Sequence, residues 1–424
     1  MKRALVLAGG GSKGAYEVGF VKALHELGID YQIVTGTSIG ALNGCLLAQQ
    51  DYHAMEKLWQ TMEIGTVFAG NFDKDFTIDL DSLLNQSNLY ISFFKSFIKE
   101  KGADITPLKT LIRNLLKEDQ LLTSPIDFGL CTVRYPSLKP LFITKEEMNK
   151  EHIFDYLISS ASCFPVFPIY SFDNQSFIDG GYYDNVPVDM AFDMGAQDVI
   201  VVDMRMEATH PHYLNRPHVI YTTPYIDLGM FMDFSRETLD RNQRIGYQTA
   251  MKTFGNFAGV KYTFKHFETP LFHEFYTEVL YLERYIRSLT RSDAAGNLFE
   301  KYKESHKNQP LEEKDYLYVT LDWLMEIMER DASYVYDFHL FVKDLLSFFD
   351  KYMQPDFQMV SFRSFDEFID SFKELSKKGM IGRLLHEMLY PSFEKIDFEK
   401  ISTLFSREMI MAKLLFLLYH TKEK

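Results

Sequence analysis

GGGSKG at residues 9–14 and GTSIG at residues 36–40 decide the fold of this chain. The first stretch follows the apolar run at residues 4–8, the second follows the run at 32–35, and a helical pattern begins after each. Such alternation predicts strand–turn–helix units and a parallel sheet. Because neighbouring parallel strands end at the same edge of a sheet, we expect the two glycine turns to lie side by side.

Six short runs are predicted as strands: residues 4–8, 32–35, 127–133, 140–144, 199–204 and 218–222. Helical patterns fall between them, which predicts an α/β fold, a three-layer α/β/α sandwich with a mainly parallel sheet. From about residue 255, long helical patterns rich in Phe, Tyr, Leu and charge replace this alternation. The sequence therefore predicts an α/β domain over residues 1–230, a connecting helix over 231–255 and an α-helical domain of unknown role over 256–424.

Composition limits the classes of function. A chain of 424 residues with 46% hydrophobic content exceeds what one core usually holds, which favours two domains. The net charge of −14 argues against a nucleic-acid partner, because phosphate binding requires clustered Lys and Arg. The odd number of cysteines and the absence of a paired spacing predict buried thiols and no disulfides at Cys45, Cys131 and Cys163.

Neither end of the sequence predicts a membrane segment. The apolar run that begins at Ala4 stops at Gly9, which is too short for the hydrophobic region of a signal peptide. Near the C-terminus, charge interrupts the apolar residues and leaves only 414–419 unbroken, far short of a membrane span. We therefore expect a soluble, cytoplasmic protein.

The first glycine turn is open to three interpretations. Gly9, Gly11 and Gly14 satisfy the dinucleotide pattern GxGxxG, but the acid that should hold the ribose is missing, because Asp30 precedes the second strand. A phosphate-binding P-loop also fails, because Lys13 precedes the last glycine. What remains common to all three is a cradle of glycine N–H groups at a helix N-terminus, which binds anions and could form an oxyanion hole.

The second glycine turn has the pattern of a nucleophile elbow. Gly36 and Gly40 flank Ser38, and the pentapeptide GxSxG stands between a predicted strand and a helix. In such an elbow the glycines allow a sharp turn that presents the serine hydroxyl at the end of the strand. The pattern predicts Ser38 as a nucleophile.

A third motif is Asp179-Gly180-Gly181, which by itself is an ordinary turn signal. Its position changes that interpretation. GGGSKG, GTSIGALNG and DGGYYDNVP occur in this order, with ASCFPVFP shortly before the last. Over roughly residues 3–230, this order resembles the patatin-like phospholipase family.

The resemblance implies a three-layer α/β sandwich in which a Ser-Asp dyad hydrolyses acyl esters of lipids. It implies Ser38 as the nucleophile, Asp179 as the base, and the amides around Gly10 and Gly11 as oxyanion donors. Lys13 stands where the family often has Arg, and DGG stands where many members have DGA. A carboxylate is a weak base at neutral pH, so Asp179 must gain basicity by desolvation.

The alternative to a dyad is a triad in the order Ser, Asp, His, for which His210 and His212 follow Asp179 in the chain. Both histidines lie in the polar stretch THPH, which favours an exposed loop. The elbow also comes on the second strand, earlier than in triad hydrolases, which favours the dyad. The histidine and cysteine spacings predict no metal site, and no cofactor is expected.

Three classes of function therefore stand. The first is a serine lipid acyl hydrolase acting through an acyl-enzyme, with a transacylase as its near relative. The second is a catalytically idle scaffold that binds lipid, and the third is a nucleotide-dependent enzyme. The expected partner is a lipid or another acyl ester, with peripheral contact to a membrane.

A helical pattern at residues 88–99, apolar on one face, predicts a core helix or a lid.

Overall fold

The computed structural model describes residues 2–69, 102–290, 299, 311–353, 376–391 and 403–422. These residues fall into two units, Met1–Phe254 and Gly255–Lys424. The helical pattern at residues 88–99 lies outside the described residues. The domain boundary predicted near residue 230 stays a prediction.

An eight-stranded sheet forms the centre of the first unit. Its strands are β1 Arg3–Leu7, β2 Ile33–Thr37, β3 Asp127–Tyr135, β4 Lys139–Thr144, β5 Tyr170–Phe172, β6 Gln175–Asp179, β7 Asp198–Val202 and β8 Val219–Thr222. The order is β5-β6-β3-β2-β1-β7-β8, and β4 also pairs with β3. The pairs β3–β2, β2–β1, β1–β7 and β7–β8 are parallel. The pairs β3–β4, β3–β6 and β5–β6 are antiparallel. The predicted α/β class is confirmed.

Helices cover both faces of this sheet. They are α1 Ala15–Glu26, α2 Ile39–Ala48, α3 Tyr52–Thr61, α4 Ile64–Val67, α5 Thr106–Leu115, α6 Glu118–Thr123, α7 Ile153–Ser160, α8 Val188–Asp193 and α9 Arg236–Thr253. Val34 of β2 faces Gly44 of α2, whereas Thr35, the next residue, donates to the Pro187 carbonyl in front of α8. Because successive side chains of a strand point to opposite faces, α2 and α8 form separate outer layers.

Helix α9 contains much of the predicted connecting segment, and it packs within the first unit against α1. The two backbones approach closely at a pair of glycines. A Cβ on Gly19 would lie 1.8 Å from the Gln243 carbonyl oxygen, and a Cβ on Gly246 would lie 1.9 Å from the Tyr16 carbonyl oxygen. Only glycine permits this close crossing, so α9 packs directly against α1, the helix that follows the first glycine turn.

The second unit is mainly helical. Its elements are the strands β9 Phe257–Ala258, β10 Thr263–Lys265 and β11 Val335–Tyr336 and the helices α10 Leu271–Thr290, α11 Glu313–Ile327, α12 Phe338–Met353, α13 Lys377–Leu389 and α14 Ser406–Lys422. Phe264 packs among Phe267, Phe338 and Phe341, with ring centroids 5.7 to 6.3 Å apart. None of the described helices of the chain is long and apolar enough to cross a membrane.

We expect Gly246→Ala to lower the stability of the first unit, because the new methyl would collide with the α1 backbone. Overpacking of this kind costs ~1–3 kcal/mol or more, which thermal melts would detect as a lower Tm. Gly65→Ala is the matched control, since the nearest atom to its Cβ would be Glu63 Oε1 at 3.8 Å. Equal Tm values for the two variants would contradict the close crossing.

Candidate active site

Strands β2 and β6 pair with the same edge of β3, and the site forms where these two strands end. Strand β2 pairs with the first half of β3, and its last residue, Thr37, lies opposite Cys131. Strand β6 pairs with the second half, and its last residue, Asp179, lies opposite Thr132. Because β4 pairs along the other side of β3, β2 and β6 lie end to end. Ser38, which follows β2, therefore meets Asp179.

The serine occupies a sharp turn. Ser38 has φ 54° and ψ −124°, in the left-handed region that a non-glycine residue rarely adopts. A Cβ on Gly36 would lie 2.3 Å from the Gly40 carbonyl oxygen, so the turn needs glycine there. The Ser38 N–H donates to Ser160 Oγ at 2.9 Å, and this hydroxyl donates to the Cys131 carbonyl at 2.7 Å. Ser160 thus holds the turn on β3.

The first glycine turn lies against the serine, as the sequence predicts. A Cβ on Gly9 would be 3.2 Å from Ser38 Cβ and 2.4 Å from Asn185 Oδ1. The Gly9 N–H donates to the Asn185 carbonyl, and Asn185 Nδ2 donates to the Gly9 carbonyl, each at 3.0 Å. Since Asn185 lies six residues after Asp179, these two bonds fix the glycine turn to the aspartate loop.

Two further glycines of the first turn lie at the cavity. Gly10 and Gly11 line the same cavity as Ser38. Among the described residues, no backbone carbonyl accepts a hydrogen bond from either of their N–H groups, whereas the N–H groups of Gly9, Ser12 and Lys13 all find acceptors. Two unused donors thus point to an anion site beside the serine.

Three other predicted residues lie behind this surface. Gly14 packs against Ile39 and Trp59, and a Cβ on Gly40 would meet the Leu7 and Ala8 carbonyls. Lys13 is half-buried and does not line the cavity. None of the three lines the cavity, and Gly14 and Gly40 pack within the protein.

The cavity in front of Ser38 has a volume of about 430 Å³ and walls that are mostly apolar. Its apolar side chains come from α2, from residues 62–67, from α5, from the loop after α7 and from the loop before α9. They are Ile39, Leu42, Met62, Val67, Leu108, Ala161, Cys163, Phe164, Pro165, Phe167, Phe231, Met232 and Phe234. Such a cavity suits a flexible hydrocarbon chain.

Asp179 is the one carboxylate among the described residues that line the cavity. It is 5% exposed, and this burial raises its pKa from 3.8 to about 6, the direction expected of a desolvated carboxylate. Gly181 N–H donates to Oδ1 at 2.8 Å, and the nearby Ser38 hydroxyl also favours the charged form. Oδ2 is buried without a hydrogen-bond partner in the described structure. Oδ1 therefore accepts a backbone hydrogen bond, whereas Oδ2 is available to accept a proton.

Gly180 and Gly181 form the tight turn that follows Asp179. A Cβ on Gly180 would lie 2.2 Å from the Cys131 carbonyl oxygen, and a Cβ on Gly181 would lie 2.9 Å from Asn185 Oδ1. The Asp-Gly-Gly turn therefore packs tightly between β3 and the loop that holds Gly9.

The two histidines of the triad alternative lie elsewhere. His210 Nε2 is 3.1 Å from Asp184 Oδ1, and this contact raises the pKa of His210. His212 packs against the Tyr213 ring at 4.3 Å between centroids. Neither histidine lines the cavity. The described part of the chain also contains no cluster of three or more His, Cys, Asp or Glu that could hold a metal ion.

A buried polar network behind the site was missed by the sequence reasoning. Asn43 Nδ2 donates to Glu17 Oε2 at 2.8 Å and to the Gly14 carbonyl at 3.3 Å, while Trp59 Nε1 donates to Asn43 Oδ1 at 2.9 Å. Glu17 is fully buried, and desolvation raises its pKa well above the ordinary value. The network ties α1, α2 and α3 together under both glycine turns. Its only sequence signal is polar residues inside apolar helical patterns.

Part of the chain is similar to a known protein family. Residues 5–192 match the family model for patatin-like phospholipase. This chain contains a patatin-like phospholipase domain. The matched range includes every motif residue from Gly9 to Gly181, so the resemblance noted from the sequence is confirmed.

Relatives of the patatin-like domain are much longer proteins. Over 206 residues the chain is 29% identical to patatin-like phospholipase domain-containing protein 7 of Rattus norvegicus, which is 47% of this chain and 13% of that protein. It is 27% identical over 205 residues to lysophospholipase nte1 of Aspergillus terreus, or 47% and 12% of the two chains. VipD from Legionella pneumophila has 15% identity and a TM-score of 0.40, over 98% of this chain and 90% of that one.

We expect Asp179→Asn to stabilise the protein at neutral pH. Asp179 has a raised pKa in the folded state, so ionising it disfavours folding once the pH exceeds the unfolded value of 3.8. The difference between about 6 and 3.8 corresponds to about 3 kcal/mol above pH 6, and it should disappear below pH 4. Thermal melts from pH 4 to pH 8 measure it.

The exposed Asp193→Asn variant is the control and should melt like the wild type throughout. A Tm of Asp179→Asn at or below the wild-type value at pH 8 would show that the carboxylate is not desolvated.

Proposed function

We propose that this chain hydrolyses acyl esters of lipids, with Ser38 as the nucleophile and Asp179 as the general base. The observation that carries the proposal is the meeting of an elbow serine and a desolvated carboxylate in an apolar cavity beside two unused N–H donors. The names of the relatives, a phospholipase domain protein and a lysophospholipase, support a lipid as the substrate.

The first half of the reaction forms an acyl-enzyme. Asp179 Oδ2, which has no other partner, accepts the hydroxyl proton as Ser38 Oγ attacks the ester carbonyl carbon. The negative charge that develops on the carbonyl oxygen is stabilised by the N–H groups of Gly10 and Gly11. The C–O bond to the alcohol then breaks, and the alcohol leaves with the proton that Asp179 holds.

The second half repeats these roles with water. Asp179 takes a proton from water, the hydroxide attacks the acyl carbon, and the bond to Ser38 Oγ breaks while the proton returns to the serine. A pKa of about 6 makes Asp179 a stronger base than an exposed aspartate and leaves it mostly ionised above neutral pH. If another alcohol replaced water in this step, the same site would be a transacylase.

The central test is covalent labelling with a fluorophosphonate, followed by mass spectrometry of the labelled peptide. We expect the label on Ser38 and none in Ser38→Ala, because the probe reacts with an activated serine. Asp179→Asn should slow both labelling and ester turnover by ~10²- to 10⁴-fold while the protein stays folded. A label on a different serine, or rapid labelling without Asp179, would overturn the proposed roles.

A second test concerns Ser160, which orients the elbow and does not touch the substrate. We expect Ser160→Ala to lower kcat more than it changes KM, because it releases both the Ser38 N–H and the Cys131 carbonyl. Ser162→Ala is the matched control, since its hydroxyl is also buried but donates only to the Ile158 carbonyl in α7. Equal kinetic effects of the two changes would show that Ser160 does not position the nucleophile.

A further inference from the structure

The exposed apolar side chains of the first unit are concentrated near the cavity. Among its described residues, the large hydrophobic side chains that are exposed are Tyr135, Leu138, Phe142, Tyr182, Tyr183, Met206 and Ile220. The first five lie on only two short stretches, the β3–β4 hairpin and the loop that follows Asp179. We call these five residues the aromatic rim. Scattered apolar residues are ordinary on a surface, whereas a cluster indicates an interaction site.

The β3–β4 hairpin continues past the end of the elbow strand β2. Strand β2 ends opposite Cys131, but β3 continues to Tyr135 before the chain turns into β4. Leu138, in the turn between the two strands, is 59% exposed and has φ 55°. The tip of the hairpin is thus an apolar side chain held in solvent past the end of the elbow strand.

The aromatic rim is continuous with the wall of the cavity. Tyr182 lines the cavity and is also 44% exposed, and its hydroxyl donates to the Phe164 carbonyl. Tyr183, which is 60% exposed, packs edge-on against Phe142 with ring centroids 6.1 Å apart. Tyr135 packs at 6.4 Å on Phe164, another wall residue. Tyr182 and Tyr135 therefore join the rim to the apolar wall of the cavity.

The charge of the hairpin is opposite to that of the chain. Residues 134–143 contain Arg134 and Lys139 and no Asp or Glu, although the net charge of the protein is −14. Lys139 is exposed beside Leu138 at the tip. Basic side chains next to tyrosines and an exposed leucine are typical of surfaces that lie among lipid headgroups, where tyrosine has both an apolar and a hydrogen-bonding environment.

We propose that the aromatic rim docks this protein on a phosphate-bearing lipid surface, with Leu138 and Tyr183 inserted and Lys139 near the phosphates. The opening of the apolar cavity then faces the lipid, so an acyl chain passes from the lipid to Ser38 with little exposure to water. The docking itself does not require catalysis. The second part, delivery of substrate, rests on the proposed function.

Vesicle binding tests the docking separately from hydrolysis. The Ser38→Ala protein, which cannot consume the lipid, is mixed with phosphatidylcholine vesicles or with mixed phosphatidylcholine and phosphatidylserine vesicles, and the bound fraction is measured by flotation. Adding Leu138→Ser and Tyr183→Ser should lower the partition coefficient by about tenfold or more, because two buried apolar side chains are lost. Ile220→Ser is the control and should bind normally. Its side chain is 41% exposed on β8, at the other end of the sheet.

Two single variants refine this test. Lys139→Glu should abolish any preference for vesicles that contain phosphatidylserine and keep binding to phosphatidylcholine, because only the electrostatic contribution is reversed. Leu138→Trp should strengthen binding to both, since tryptophan favours the membrane interface. This variant keeps the proposal testable if the double serine variant is unstable, provided that its Tm equals that of the parent protein, because a misfolded protein that exposes apolar surface would also bind vesicles.

Unchanged binding of the double serine variant, or no binding by the parent protein, would overturn the docking proposal. So would a rim variant that instead changes the sedimentation of the protein alone, because the rim would then join two copies of this chain. With Ser38 restored, the double serine variant should lose hydrolysis of vesicle lipid and keep that of a short soluble ester. Rim-dependent binding without any hydrolysis would reject the proposed function and leave the docking intact.

Discussion

The site depends on the pairing of β2 and β6 with the same edge of β3. Thr37 pairs with Cys131 and Asp179 pairs with Thr132, so the register of two separate strands brings the elbow and the carboxylate to neighbouring residues. A slip of one residue in either pairing would turn the alternate side chains to the opposite face. The Cys131 carbonyl enforces the register, because it accepts from Ser160 and leaves no space for a side chain at Gly180.

Two buried carboxyl groups near the site differ in their environments. Asp179 faces the cavity, accepts one backbone N–H, and has a pKa raised only to about 6, so it can exchange a proton near neutral pH. Glu17 is sealed behind the glycine turns and bonded to Asn43, and desolvation raises its pKa well above the ordinary value, which favours the neutral form. Both carboxyl groups are desolvated, but only Asp179 of the two lines the cavity, as its proposed role as a base requires, whereas Glu17 is hydrogen-bonded within the protein.

The sequence predicts those parts of the site that local patterns encode. The two glycine turns could be placed because each follows an apolar strand and begins a helix, and this context lies within about ten residues. The β5–β6 hairpin was missed, since its strands have only three and five residues and polar side chains interrupt the apolar ones, although β6 ends on Asp179. Ser160 and Asn185 could not be assigned their roles, because each acts on a residue more than a hundred positions away. The small sheet of the second unit has strands of two or three residues, too short for a pattern.

Strand β3 connects the chemistry of this domain with its surface. The same strand that pairs with Asp179 continues into the hairpin that carries Tyr135 and Leu138, so the carboxylate and this part of the rim are both attached to β3. If a lipid covers the rim and fills the cavity, water is removed from around the one carboxylate that lines the described cavity wall. Further desolvation would raise the pKa of Asp179 above about 6, which increases its strength as a base but lowers the fraction that is ionised. The Gly181 N–H and the Ser38 hydroxyl oppose that loss, because both favour the charged form. If the substrate is the proposed acyl lipid, it increases the basicity of Asp179 by excluding water, and the two hydrogen bonds limit how far the pKa can rise.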